Sequence, residues 1–318
     1  MNDAGARALS RTALFALVSG LLILNLATFL PAFSQVSSID SGCCSDHPLA
    51  KDFSAFFIGA WRLFHDPAQI YTHAYVSDGE PFIYPQPEQY KYLPSFLLII
   101  SPLLLVPYPE ALALFDIFQF LSLPLIGLLV YDLTKEQDWG ITVIAEVLVL
   151  LLPAAAPGWG FSVGYFWQWK EGQSKVLEAL FLTASFYLGR KGRSVWSGVS
   201  LGFAFFDPRF ALVAIPLFLA SNVTKTSSAI KALAATLILS NLALVYPGVG
   251  FSFLGMVFNT GISTALYPYA MIPLAEVVFL SSINHSEIKN ELVRIYRISQ
   301  VRMIRARIRS SSIRRARI

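Results

Sequence analysis

From Ala13 to Phe33 the chain runs for 21 residues without one charged side chain, the length that an α-helix needs to cross the roughly 30 Å hydrocarbon core of a bilayer. Further apolar runs recur at 110–131, 141–157, 174–189, 195–207, 208–221, 229–247 and 264–283. Inside lipid only helices and closed barrels satisfy every backbone polar group, so these runs point to an all-α polytopic membrane protein of about eight transmembrane helices. Composition agrees, with 55% hydrophobic and 14% charged residues and a mean hydropathy of +0.57, against about 25% charged residues in a soluble domain. An ordinary cytosolic enzyme, a disordered chain and a disulfide scaffold are excluded. The last fails because the adjacent Cys43 and Cys44 are the only cysteines.

Charge is distributed unevenly. The formal charge is +4, but residues 284–318 hold ten Lys/Arg and two acids, so this tail is +8 and the body is −4. A basic tail beside apolar runs reads as a cytoplasmic segment rather than a nucleic-acid binder. The run 13–33 exceeds the 7–15 apolar residues usual in a signal peptide and reads as a retained anchor with its N-terminus cytoplasmic. Residues 34–92 carry seven acids and three bases, which suits the outer face. Leu93–Val106 is apolar but only 14 residues long and holds Pro94 and Pro102, so it suits an interfacial or re-entrant segment. With that assignment Arg190–Arg193, Lys225–Lys231 and the tail all face the cytoplasm. The expected domains are a membrane unit, 1–283, with a first outer loop at 34–109 carrying interfacial helices, and a cytoplasmic tail, 284–318.

Several constellations carry candidate chemistry. Phe53, Phe56, Phe57, Ala60, Trp61 and Phe64 recur at helical spacing, predicting an amphipathic helix on the bilayer surface. Asp52 at its start is either a plain N-cap or a functional carboxylate, and Arg62 reads as a snorkelling side chain. Lys91 and Tyr92, like Tyr84 and Tyr90, are either interfacial anchors or the rim of a phosphate or sugar pocket. The aromatic segment 158–175 contains Lys170, Gln173 and Lys175, which suit headgroup anchoring or, equally, sugar stacking and phosphate pairing. Asp207-Pro208-Arg209 is either a local ion pair or a contributor to the same pocket.

Asp116, Gln119, Glu146, Glu178 and Glu276 lie within apolar runs, where acids need partners. Asp116 and Gln119, three apart, share a helix face. Phosphate-loop, Gly-x-Ser-x-Gly, His-Glu-x-x-His and Cys-x-x-Cys motifs are absent from the sequence. His47, His65 and His73 are irregularly spaced, and no metal ligand set or cofactor is expected. Asn222-Val223-Thr224 and Asn284-His285-Ser286 match the glycosylation pattern but fall on the cytoplasmic side.

Taken in order, these pieces resemble the GT-C superfamily of polytopic glycosyltransferases, and within it the polyprenol-phosphate-mannose-dependent mannosyltransferase family of bacteria and archaea. The likeness runs over residues 13–220. Its elements are the N-terminal anchor, Asp52-Phe53 on an aromatic helix with Tyr71 following, and Lys91-Tyr92-Leu93-Pro94 leading to Pro102 and Pro107. Gly172-Gln173, the Arg190-Lys191-Gly192-Arg193 turn, Gly198 with Gly202, and Asp207-Pro208 complete the set. Leu93 and Asp207 depart from a family proline and a frequent family lysine, and the Arg-rich tail is unlike the family's C-terminal half. The resemblance implies an inverting transferase that moves a sugar, mannose, from a polyprenyl-phosphate donor to an acceptor hydroxyl of a glycan or glycolipid at the outer membrane face. It implies Asp52 as general base, with Lys91, Tyr92, Lys170, Gln173, Lys175 and Arg209 as substrate-binding candidates. The competing classes are a multi-span transporter or lipid flippase, and a noncatalytic partner subunit.

Overall fold

The computed structural model describes residues 50–72, 90–134 and 172–259, with Trp169, Val293 and scattered helical positions between residues 16 and 30. The regular elements among them are helices: α1 (Lys51–His65), α2 (Pro94–Ile100), α3 (Tyr108–Thr134), α4 (Lys175–Arg190), α5 (Ser194–Ala204), α6 (Pro208–Ser221), α7 (Thr226–Ser240) and α8 (Val249–Asn259). Short 3₁₀ turns occupy Pro67–Gln69, Ser101–Leu105, Val223–Lys225 and Leu242–Val245. The expected runs at 141–157 and 264–283, with Glu146 and Glu276, lie outside the described residues, as do the cysteines and all of the tail but Val293.

Among the described residues α3 alone is long and apolar enough to cross a membrane. Its 27 residues extend about 40 Å at 1.5 Å per residue. By contrast α5, α6 and α7 have 11, 14 and 15 residues, short of the roughly 20 a full crossing takes. The run 229–247 is not one span. Its helix stops at Ser240, a 3₁₀ turn follows, Pro247 and Gly248 (φ 88°) reverse the chain, and α8 begins at Val249. Proline lacks the amide hydrogen that a helix would use, and only glycine adopts that φ without strain. Hydropathy averaged over Leu242–Val245 conceals this break, because those residues are as apolar as the helix before them.

The helices are stitched at two ends. At one end Lys191 Nζ lies 2.7 Å from Asp132 Oδ2, joining the C-termini of α4 and α3. At the other, Gly172 just before α4 packs on Leu112 in the first turns of α3. The two helices therefore run side by side in the same direction. From the Lys191 end α5 returns, and Phe206 beyond it accepts a 2.9 Å hydrogen bond from the Leu93 amide. Helix α6 goes back again, so that Asn222 donates to Ser197 Oγ (2.8 Å) and to Phe218 O (2.9 Å). Helix α7 then brings Asn241 to Ser95. Ser185 and Ser197 exchange hydrogen bonds of 2.9 and 2.7 Å across α4 and α5 beside Asn222. Asn222 is thus a buried structural residue, and in the folded protein its amide is occupied rather than open to glycosylation.

Helix α1 forms as the spacing predicts, but its apolar stripe does not face lipid. Phe53, Phe56, Phe57 and Ala60 are buried against Phe96, Tyr108, Leu112 and Phe115, with ring centroids 5.0 Å apart for Phe53–Phe115 and 4.8 Å for Phe56–Phe96. Aromatic pairs of this kind gain about 0.5–1.5 kcal/mol beyond area burial, and the stripe finds those partners inside the protein. Phe64 at its far end remains exposed. Arg62 does not snorkel: it is buried, and its Nη1 donates to Gln69 O (3.1 Å) and Thr72 O (3.4 Å), tying the next turn to the helix.

Gly198 and Gly202 set the approach of α5 to α7. A Cβ at Gly198 would collide with the Ala229 carbonyl oxygen and sit 2.9 Å from Leu233 N, and one at Gly202 would sit 2.6 Å from Thr236 Cγ2. Small residues four apart let helix backbones touch in this way. Gly198→Leu should therefore destabilise the detergent-solubilised protein by about 1–3 kcal/mol or more, the usual penalty for overpacking. Gly255→Ala, a helical position with open space around its Cβ, should be neutral or stabilise by up to about 1 kcal/mol; thermal unfolding of both variants in detergent reads the difference.

Candidate functional site

The Tyr90–Ser95 segment lies at the end of the bundle away from Lys191 and is held by partners from three other parts of the chain and by one bond within itself. Tyr71 Oη donates to Tyr92 O at 2.9 Å. Tyr90 Oη donates to Leu93 O at 2.6 Å. The Leu93 amide donates to Phe206 O (2.9 Å) and the Ser95 amide to Asn241 Oδ1 (3.0 Å). Below this segment Phe96 stacks on Phe206 with centroids 4.4 Å apart, and Tyr92 packs edgewise on Phe56 and Phe206. The backbone carrying Lys91 and Tyr92 is thus fixed, while the Lys91 side chain is exposed and Tyr92 is half-buried.

The start of α1 is pinned to the same end. Tyr108 Oη donates to Ala50 O at 3.2 Å, and a Cβ at Gly172 would lie 2.5 Å from Phe53 Cβ. Gly172 adopts φ 62°, so both its conformation and its contact require glycine. Asp52 is not the N-cap. That position belongs to Ala50 in a left-handed conformation (φ 58°, ψ 48°), and Asp52 is the second helical residue, where a carboxylate suits the positive end of the helix dipole. It is partly exposed, as are Gln173 and Lys175, the latter the first residue of α4.

Of the residues singled out from sequence, Asp52, Lys91, Tyr92, Gln173 and Lys175 therefore gather at one end of the helices. Arg209 is described as backbone only, as the second residue of α6, two residues beyond Asp207 at that same end. Lys170 lies outside the described residues. Asp207 is buried rather than facing solvent, and its charge reaches Tyr90. Burial first, then the charges of Tyr71, Tyr92 and Asp207, push the Tyr90 phenol well above its ordinary range. Burial does the same to Tyr71. His65 stacks on Trp61 with ring centroids 4.2 Å apart and its Nδ1 is 2.8 Å from Trp61 O; His47 and His73 lie outside the described residues. No group of three or more His, Cys, Asp or Glu that could hold a metal ion occurs among the described residues.

Deeper in the bundle, Asp116 and Gln119 occupy one buried face of α3 and Glu178 is buried on α4. Both Asp116 oxygens lack a hydrogen-bond partner among the described residues.

The glycosyltransferase family 87 profile matches residues 90–284. The chain belongs to glycosyltransferase family 87. This is a family of GT-C membrane glycosyltransferases, so the protein is an integral membrane glycosyltransferase, as the apolar runs and the long helix α3 lead one to expect. No curated protein and no solved structure matches the chain. The family 87 match begins at the pinned Tyr90 and takes in Lys91, Tyr92, Lys170, Gln173, Lys175 and Arg209. It leaves α1 and Asp52 on its N-terminal side, and it extends to 284 where the residue-by-residue likeness stopped at 220.

Asn241 and the Phe206 carbonyl, which grip the Lys91 segment, escaped sequence reasoning. An asparagine at a helix end 146 residues from its partner carries no spacing signal, and a backbone carbonyl carries none at all. The raised Tyr90 phenol predicts an alkaline effect. With its folded value above the unfolded value near 10, the stabilisation it provides is full below about pH 10 and is lost as pH rises through the folded value. Thermal unfolding in detergent should show the melting temperature falling above about pH 10, with a shallower fall in Tyr90→Phe.

Proposed function

We propose that this family 87 protein transfers mannose from a polyprenyl-phosphate donor to an acceptor hydroxyl at the outer membrane face, with inversion and with Asp52 as general base. The observation that supports the reading is that α1, whose first turn holds Asp52, packs both on Gly172 just before α4, through Phe53, and on the Lys91–Tyr92 segment, through Phe56 with ring centroids 5.4 Å from Tyr92, at one end of the bundle. The chemistry needs little more. The base removes the acceptor hydroxyl proton as that oxygen attacks C1; the C1–O bond to phosphate breaks, and the phosphate leaves as an anion that requires cations rather than a partnered acid. Lys91, Lys175 and Arg209, with Lys170, supply the cations, and Tyr92 and Gln173 contact the sugar or phosphate. Residues 1–283 form the membrane unit, with 34–109 as its first outer loop, and 284–318 form a cytoplasmic tail whose arginines meet anionic headgroups at about 1 kcal/mol each. Both termini face the cytoplasm in this reading.

The buried Asp116, with the short segments 93–106 and 195–221, favours a transporter or flippase instead. The two readings separate in membranes supplied with labelled polyprenyl-phosphate mannose. Asp52→Asn should lower sugar transfer by about 10²–10⁴-fold, the usual contribution of a general base, at unchanged expression. Full transfer by Asp52→Asn removes the assignment, and loss in Asp116→Asn alone favours transport.

A further inference from the structure

We propose that Asn241 is a positioning residue for the lipid-phosphate donor. With Tyr71, it holds the Tyr90–Ser95 segment so that Lys91 and Tyr92 are presented to the donor's phosphate end. The inference rests on the reading of Lys91 as a phosphate-binding cation and extends it to two residues that do not themselves touch the donor.

The geometry is specific. Asn241 is the residue at which α7 breaks, and its side chain is almost wholly buried. Its Nδ2 donates to Leu237 O (2.9 Å) and Ser240 Oγ (3.3 Å). With both amide hydrogens engaged, the orientation of the group is set and Oδ1 is left to accept from the Ser95 amide at 3.0 Å. Ser95 is fully buried in the first turn of α2, where an amide has no partner within its own helix. An uncapped amide there would have to leave its seat or find water. Three residues upstream, Tyr71 fixes the Tyr92 carbonyl at 2.9 Å. Between these two ties lies the Leu93 amide bonded to Phe206 O, and Lys91, whose ammonium carries the charge, directly precedes the tied Tyr92.

A break in an apolar helix at a single asparagine is otherwise costly, because it exposes backbone groups to an apolar setting. Here the break delivers the amide that closes the Lys91 segment. Charge placement on a flexible lysine depends on the backbone beneath it, so loosening that backbone spreads the ammonium over positions that do not meet the phosphate.

Binding of short-chain polyprenyl-phosphate mannose, and of polyprenyl phosphate alone, to the full-length protein in nanodiscs tests the inference. Asn241→Ala and Tyr71→Phe should each raise Kd about tenfold for both ligands, the size of one net hydrogen bond, with the number of sites per protein unchanged. A merely structural role would lower the number of sites and leave Kd as it is, and that result overturns the proposal. If Asn241→Ala does not survive extraction, Tyr71→Phe decides alone, since it removes one hydroxyl and retains the ring. Lys91→Gln separates the layers. Weakened binding in Lys91→Gln with normal Kd in both positioning variants removes this inference and spares the underlying reading. Unchanged binding in Lys91→Gln removes both.

Discussion

A stretch of non-helical backbone buried among aromatic rings has no water to bond, so each of its amides and carbonyls must find a partner in the protein. The backbone from Tyr92 to the first turn of α2 is largely of this kind, and several parts of the bundle satisfy it. Its partners come from the turn after α1 (Tyr71), the turn between α5 and α6 (Phe206) and the end of α7 (Asn241). Removing any one leaves a buried orphan that costs about 1–3 kcal/mol. The α5–α7 helices are therefore tied, through their ends, to a segment more than a hundred residues earlier, and the backbone beneath the candidate site residues Lys91 and Tyr92 is fixed with it.

The opposite end is held by different means. There the Asp132–Lys191 pair and the Ser185–Ser197–Asn222 cluster join α3 to α6 through polar side chains, and Gly198 and Gly202 allow α5 and α7 to lie backbone to backbone. Hydrogen bonds between helices in an apolar medium are worth only about 0.6–2 kcal/mol each, so close packing and several bonds act together. The result is a rigid frame whose site end carries the starts of α1, α3, α4 and α6. Helix starts present unsatisfied amides and positive partial charge, an electrostatic setting that suits an anion.

Much of this could be read in the chain. The helical spacing of Phe53, Phe56, Phe57 and Ala60 foretold α1, and the apolar run at 110–131 foretold α3. Lys91, Tyr92, Gln173 and Lys175 were legible as residue types suited to sugar and phosphate. What covers the α1 stripe was not legible, because periodicity reports that a face is apolar and says nothing of whether lipid or Phe96 and Phe115 will cover it. Nor was the end of α7 at Asn241, because a hydropathy average passes smoothly over a break flanked by leucines. Arg62 looked like a surface cation for the same reason: its carbonyl partners, Gln69 and Thr72, are defined by a turn rather than by a residue type.

By itself, then, the sequence determined the class of protein. Apolar runs near 20 residues with few ionisable side chains select a helical membrane protein, since backbone groups in lipid must be paired internally and barrel strands are only about half that length. Local spacing likewise determined where α1 and α3 form. Tertiary structure alone decided which helix ends meet, that Asn241 and Phe206 close the Lys91 segment, and that Asp52 starts a helix seated on Gly172 rather than capping one on a surface. The reason is physical. Those outcomes depend on hydrogen bonds and ring contacts between residues far apart in the chain, and the free energy of such contacts is set by complementary shapes and unsatisfied groups that exist only once the helices are packed.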